Sequence, residues 1–119
     1  MATTYRIPTL TSRREYFRLP YPVTSGARLA VEGANYKVEE ISEGGLRLVC
    51  SGENFPLEQS VQGVLTLTSG MRCTVIGTVL RIEEECVVLK LSHGLTNSDV
   101  FREQRHLSKL FPDWKPQPV

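Results

Sequence analysis

The sequence predicts an all-β domain, a six-stranded antiparallel β-barrel followed by one C-terminal α-helix. Short segments of alternating apolar and polar residues recur along the chain and are separated by glycine-containing turns, a pattern typical of an antiparallel barrel or sandwich. Near the C-terminus the alternation gives way to a spacing of three and four residues, which indicates a helix. With 119 residues, 40% of them hydrophobic, the chain suits one domain with a single core.

The strands are expected to follow one another as hairpins. Glycine turns separate the early strands, Ser69-Gly70 is a two-residue hairpin signal, and Glu83-Glu84-Glu85 reads as a solvated hairpin tip. In the second strand, strict alternation predicts one face with Tyr36, Val38 and Glu40 and another with Lys37, Glu39 and Ile41. The predicted strands cover residues 23–31, 36–41, 46–50, 60–68, 71–82 and 86–92.

The C-terminal helix is predicted over residues 97–111. Thr96 suits the N-cap and Asp99, three residues on, suits a capping box, while Pro112 ends the helix. We expect this helix to plug or cover an open end of the barrel. The whole chain is then divided into a flexible arm (1–12), a barrel domain (13–111) with a ligand loop at 13–20, and a Pro-rich tail (112–119).

Composition restricts the classes of function. The formal net charge is only +1, which disfavours a domain that wraps long DNA or RNA, so an anion site must be local. The three cysteines, Cys50, Cys73 and Cys86, lie in apolar runs without a Cys-x-x-Cys pair, which indicates buried reduced thiols in a cytoplasmic protein and no metal site. No leader-like or membrane-spanning apolar run is present in the sequence.

The local positive charge lies at Arg13, Arg14 and Arg18, beside two aromatic residues and before Pro20. Arg14 and Arg18 are four positions apart, so both side chains point the same way in a helical turn or in a strand. Two guanidinium forks that point the same way suit a planar anionic ligand. Taken alone, the cluster also fits an ordinary solvated face.

A second motif follows at Glu40-Ile41-Ser42-Glu43-Gly44-Gly45. Within a strand, Glu40 and Ser42 share one side and Ile41 faces the core. Gly44 and Gly45 permit a positive φ and leave room for close approach to the backbone. A carboxylate beside a hydroxyl suits the donor edge of guanine, whereas arginine suits its O6 and N7 acceptors and phosphate. A plain turn also explains these residues.

The ordered pair of motifs resembles the PilZ family, the bacterial receptors for cyclic di-GMP. In that family an Arg-x-x-x-Arg loop precedes the barrel, and an Asp- or Asn-x-Ser-x-x-Gly motif lies on a barrel strand. The resemblance covers essentially the whole chain. It implies that Arg14 and Arg18 hold the phosphates and the Hoogsteen edge of guanine, that Ser42 bonds guanine or phosphate, and that Gly45 permits close approach.

Two positions qualify that resemblance. Arg13 stands just before the motif, where an arginine in this family favours a stacked pair of ligands over one. Glu40 replaces the family's Asp or Asn and is one methylene longer, so its carboxylate is expected to overshoot the guanine amino group and weaken binding. We expect the truncation of Arg14 or Arg18 to cost far more affinity than Glu40→Asp, because the two forks supply several charged hydrogen bonds.

The leading hypothesis is a cytoplasmic, non-enzymatic sensor that binds cyclic di-GMP, orders its arginine loop and signals to a protein effector. It needs no cofactor or metal and does not insert into membranes. The alternative is a degenerate PilZ-like interaction module that binds no nucleotide and acts in pilus or flagellar regulation, with Trp114 as a docking residue or packed back on the barrel. A barrel that binds single-stranded nucleic acid is a third hypothesis, disfavoured by the near-neutral charge.

Overall fold

The computed structural model describes residues 18–22, 26–50 and 54–113. Within these ranges the chain forms seven strands and one helix. Their bounds are β1 Leu19–Pro20, β2 Ala27–Val31, β3 Ala34–Ser42, β4 Gly45–Val49, β5 Ser60–Thr66, β6 Arg72–Ile82, β7 Cys86–His93 and α1 Asn97–Leu110. The arm 1–12, Arg13, Arg14, Trp114 and the rest of the tail after Asp113 lie outside the described residues, so the predictions made for them stay predictions.

Six of the strands close into an antiparallel barrel in the order β2–β5–β6–β7–β4–β3, and β3 pairs back with β2. The predicted six-stranded barrel with a C-terminal helix is therefore confirmed. The short strand β1, which the sequence pattern did not predict, is added along β3, where Leu19 pairs with Ile41 and Pro20 with Glu40. Closure leaves few unpaired strand edges, and unpaired edges are the sites at which sheets aggregate.

The core fills the inside of the barrel with the inward residues of every strand. Leu29, Leu48, Leu65 and Val87 are each completely buried and come from four different strands. Their alternation with exposed residues, for example along β5, is the pattern on which the strands were predicted. Each such side chain contributes about 1.5–3 kcal/mol on burial, so the core fixes the register of the strands whose outer faces carry the candidate site.

A β-bulge in β3 changes the faces that strict alternation predicted. The pairing of β3 with β4 shifts between Val38 and Glu40, so that Glu39 is an extra residue. Val38 and Ile41 are both 0% exposed, and both therefore face the core. The prediction that Val38 shares a face with Glu40 is wrong. The prediction that Ile41 points inward while Glu40 and Ser42 point away is confirmed.

The helix α1 begins as the sequence predicted. The Thr96 hydroxyl accepts a hydrogen bond from the Asp99 backbone N–H at 3.1 Å, and the Asp99 carboxylate accepts one from the Thr96 N–H at 3.0 Å. This capping box satisfies two backbone donors that the first turn would otherwise leave unpaired. Val100 and Leu107 are fully buried and attach the helix to the core.

A buried carboxylate joins α1 to the rest of the domain. Glu103 is 0% exposed, and its Oε2 accepts hydrogen bonds from the Tyr21 hydroxyl at 2.7 Å, the Thr68 N–H at 2.8 Å and the Thr68 hydroxyl at 2.6 Å. The Ser69 N–H lies 3.3 Å from its Oε1. Burial, and then the charge and hydrogen bond of Glu103, raise the pKa of Tyr21 well above its ordinary value. The segment after β1, the β5–β6 turn and the helix therefore meet at one side chain.

The three cysteines are free. The sequence predicted buried thiols, but each cysteine is only half-buried. Burial raises the pKa of all three thiols, and at Cys86 a hydrogen bond to Glu39 adds to that effect. Among the described residues there is no group of His, Cys, Asp and Glu that would hold a metal ion. The described helix is neither long nor apolar enough to cross a membrane.

Candidate functional site

An open cavity of about 200 Å³ lies against the outer face of the barrel, where β3, β4, β7 and β6 run side by side. Five of the residues predicted to bind the ligand are described, and all five line the cavity, although their two segments are some twenty residues apart in sequence: Arg18, Glu40, Ser42, Gly44 and Gly45. The other lining residues come from the neighbouring strands: Leu46, Arg47, Leu80, Arg81, Val88, Leu89 and Lys90.

Strand β1 places Arg18 beside the second motif. Leu19 is completely buried and pairs with Ile41, and Pro20 pairs with Glu40. Because side chains alternate along an extended chain, the residue before buried Leu19 points outward, and the structure has Arg18 half-buried at the cavity. The Tyr21 N–H also donates to the Glu39 carbonyl at 2.9 Å, which extends the contact past the two-residue strand.

The glycine turn of the second motif is shaped by the neighbouring strand. The Gly44 carbonyl accepts a hydrogen bond from the Leu91 N–H at 2.9 Å. A Cβ on Gly45 would lie 2.7 Å from the Leu89 carbonyl oxygen, closer than real Cβ atoms approach backbone. The described glycines with a positive φ do not include Gly44 or Gly45, so this turn does not use the conformational freedom that glycine permits. The close approach at Gly45 is therefore the approach of β7 to β4.

Ser42 lies at the end of β3, directly opposite Gly45 in the β3–β4 pairing. Its hydroxyl donates to the Gly45 carbonyl at 3.4 Å, a long contact at the limit of a hydrogen bond. A hydroxyl also has two acceptor lone pairs, so Ser42 can accept from a ligand without giving up this contact. Half-buried at the cavity wall, it is available for that purpose.

Glu40 lies beside Arg47 in the β3–β4 pairing, and both residues line the cavity. Arg47 also pairs with Glu83 through its Nη1, and its Nε is 3.9 Å from Glu39. Partial burial acts to lower the pKa of Arg47, but the hydrogen bond and charge of Glu83 and the charge of Glu40 outweigh it and raise that pKa. The guanidinium is therefore firmly charged.

Sequence reasoning missed three of the cations at this cavity. Arg47, Arg81 and Lys90 come from β4, β6 and β7, and they join Arg18 around it. The signal available in the sequence was the outward parity of Arg47 and Lys90, which alternate with the buried Leu46, Leu48 and Leu89. Arg81 carried no such signal, because a register shift between Val79 and Arg81 interrupts the alternation.

Comparison with known proteins agrees with the motifs. The sequence profile of the PilZ domain matches residues 12–110. The fold is similar to that of the Bacillus subtilis inhibitor of motility (MotI/DgrA), with a TM-score of 0.59 and 18% sequence identity, over 88% of this chain and 55% of that one. This chain thus spans about half the length of that protein. No curated protein sequence is similar enough to count as a match.

Proposed function

The chain belongs to the PilZ domain family, and from that premise we propose that it is a non-enzymatic adaptor that binds cyclic di-GMP at the cavity between β1 and β6. The observation that carries the proposal is the meeting of the two motifs. Arg18 from the first and Glu40, Ser42 and Gly45 from the second line the same cavity.

The chemistry of the cavity suits a nucleotide with two phosphates. Four cations and one carboxylate line it, whereas the whole chain has a formal charge of only +1. Arginine forks bind phosphate oxygens and the O6 and N7 of guanine bidentately. A carboxylate accepts from the guanine N–H groups, so Glu40 and Arg18 can address opposite edges of one base. The resemblance that supports Arg14 and Arg18 as the principal ligand contacts also supports Arg13 as favouring a stacked pair.

The second part of the proposal concerns signalling. We propose that the bound ligand holds the segment with Arg13 and Arg14 against the barrel, and that the changed surface is recognised by a protein effector. The Bacillus subtilis protein with the similar fold is an inhibitor of motility, which supports a motility component as the class of effector. The free cysteines fit a reducing compartment, so the proposed location is the cytoplasm.

Calorimetric titration with cyclic di-GMP tests this proposal. We expect saturable binding at micromolar protein, and a loss of at least tenfold in affinity for Arg18→Ala, since it removes charged hydrogen bonds of about 1.5–3 kcal/mol each. Arg28→Ala is the matched control: it removes the same charge from an exposed position on β2, away from the cavity. The stoichiometry distinguishes one ligand from a stacked pair. No heat from a folded sample contradicts the proposal.

One observation favours the alternative, a PilZ-like module that binds protein and no nucleotide. The family's Asp or Asn is Glu40 here, and its charge already faces Arg47. In that case a partner protein would co-purify equally well with the wild type and with an Arg14→Ala, Arg18→Ala double variant. Under the cyclic di-GMP proposal, the double variant loses the ligand-dependent part of that association.

A further inference from the structure

Two arginines that belong to neither motif also line the cavity: Arg47 lies on the strand next to Glu40, and Arg81 lies two strands further from Arg18. Arg47 on β4 and Arg81 on β6 both pair with Val88, which lies on the strand between them. One row of paired residues therefore runs across the sheet from Pro20 through Glu40, Arg47 and Val88 to Arg81. With strands about 4.8 Å apart, this row spans roughly 19 Å along the barrel surface.

Glu83 holds these two guanidinium groups side by side. Its Oε1 pairs with Nη1 of Arg47, and its Oε2 accepts from Nε of Arg81 at 2.9 Å. The hydrogen bond and charge of Arg47, followed by those of Arg81, lower the pKa of Glu83, so the carboxylate stays ionised. Each guanidinium has five N–H donors, and the contact with Glu83 engages one nitrogen of each. Glu83 contacts both arginines but is not itself among the residues that line the cavity.

A β-bulge places an apolar surface beside this pair. The register of β6 against β7 shifts between Val79 and Arg81, which leaves Leu80 and Arg81 both pointing outward. Leu80 is 55% exposed at the cavity wall, so its apolar side chain is accessible to a bound ligand. An apolar side chain next to an arginine fork matches a purine, which has a flat face and an acceptor edge.

We propose that Arg47 and Arg81 form a second anion subsite, which binds the phosphate and guanine of the ligand half that the N-terminal arginines do not reach. Leu80 contacts the face of that guanine, and Glu83 is the positioning residue. This inference rests on the proposed function, because cyclic di-GMP is a ring with two equivalent halves. One half meets Arg18, Glu40 and Ser42, and the other meets the pair on β4 and β6.

The test measures the affinity of the full chain for cyclic di-GMP by calorimetry in Arg47→Gln, Arg81→Ala and Arg28→Ala. We expect the first two to lose at least tenfold and Arg28→Ala to stay within twofold of the wild type. Gln at position 47 keeps a polar side chain between Glu40 and Glu83, and thermal melts verify that each variant folds. If the wild type binds and both Arg47→Gln and Arg81→Ala bind with the same affinity, the second subsite is overturned while the proposed function stands. Absence of wild-type binding overturns the proposed function, and this inference with it.

A double-mutant cycle tests the role of Glu83. If Glu83 acts by orienting the guanidinium groups, Glu83→Gln weakens binding in the wild type and has no further effect when Arg47 and Arg81 are both substituted. An equal effect of Glu83→Gln in both backgrounds contradicts the positioning role, because the carboxylate would then act on the ligand or on the fold directly.

Discussion

At the scale of single residues, Glu40 shows how a side chain can depart from its family's pattern and still fit its surroundings. The PilZ motif has Asp or Asn at this position, whereas Glu extends one methylene further. In the structure Arg47 lies directly opposite Glu40 on β4, and its ion pairs are with Glu39 and Glu83. The charge of Glu40 contributes to the raised pKa of that guanidinium. In the proposed complex with cyclic di-GMP, the guanine edge and Arg47 therefore compete for this one carboxylate.

This competition leads to a prediction for Glu40→Asp. The shorter carboxylate withdraws from Arg47 and regains the family's distance to the guanine amino group. We expect tighter binding of cyclic di-GMP by about fivefold, the equivalent of one recovered hydrogen bond of about 1 kcal/mol. Calorimetric titration measures the change. Glu43→Asp, in the adjoining turn and outside the cavity lining, is the matched control. Weaker binding by Glu40→Asp would contradict the prediction and show that the longer side chain suits the site better.

At the scale of elements, alternation predicted the strands because each one buries one face in a common core. The same rule failed where a strand contains a bulge. Val38 and Ile41 are apolar and three residues apart, with Glu39 and Glu40 between them, and only an extra residue brings both to the inside. A local pattern of period two does not encode that insertion, because the bulge is stabilised by the pairing of β3 with β4.

The candidate site was predictable to the extent that its residues lie in short motifs. Glu40, Ser42 and Gly45 follow within six positions, and Arg18 precedes them in a recognisable order. Arg47 and Arg81 are far apart in sequence. Their strands, β4 and β6, come close only because both pair with β7 in the barrel. Their meeting depends on the register of β4, β7 and β6, which follows from the whole core and not from local composition.

The glycine of the second motif gives a prediction at the same scale. Because a methyl group on Gly45 would press on the Leu89 carbonyl at 2.7 Å, Gly45→Ala forces β4 and β7 apart. We expect a loss of about 1–3 kcal/mol in the free energy of unfolding, as for other overpacked sites. Urea denaturation without ligand measures it, and Glu43→Ala in the same turn serves as the control. If Gly45→Ala unfolds like the wild type but binds no ligand, the glycine serves the ligand and not the strand pairing.

At the scale of the whole molecule, the two ends of the described chain are joined through one carboxylate. Tyr21 follows β1, Glu103 lies in α1, and 82 positions separate them in sequence. The site of the candidate ligand begins just before Tyr21, with Arg18. Displacing the helix would therefore break the contact that fixes the segment after β1. Four donors bond the buried carboxylate of Glu103. Removal of one donor would strongly destabilise the fold, because it leaves a buried charge less well satisfied. This contact is therefore suited to hold the barrel and the helix as one unit.

This junction makes stability depend on pH in the alkaline range. The pKa of Tyr21 is raised above its ordinary value of about 10, first by burial and then by Glu103, so folding favours the protonated phenol. The protonated phenol contributes fully to the free energy of unfolding below about pH 10. That contribution is lost as the pH rises further, because only the unfolded chain releases this proton. Linkage gives an extra loss of about 1.4 kcal/mol per pH unit in that range.

We therefore expect Tyr21→Phe to lower the free energy of unfolding at neutral pH by about 1.5–3 kcal/mol, since a hydrogen bond to a charged group is lost. Above pH 10 the variant should lose stability less steeply than the wild type. Urea denaturation at a series of pH values measures both effects. Thr68→Val also removes a donor to Glu103 but keeps the phenol, so it should be destabilised yet follow the wild-type slope. Equal slopes for Tyr21→Phe and the wild type would show that the Tyr21 proton does not stabilise the fold, and that other donors hold the helix to the barrel.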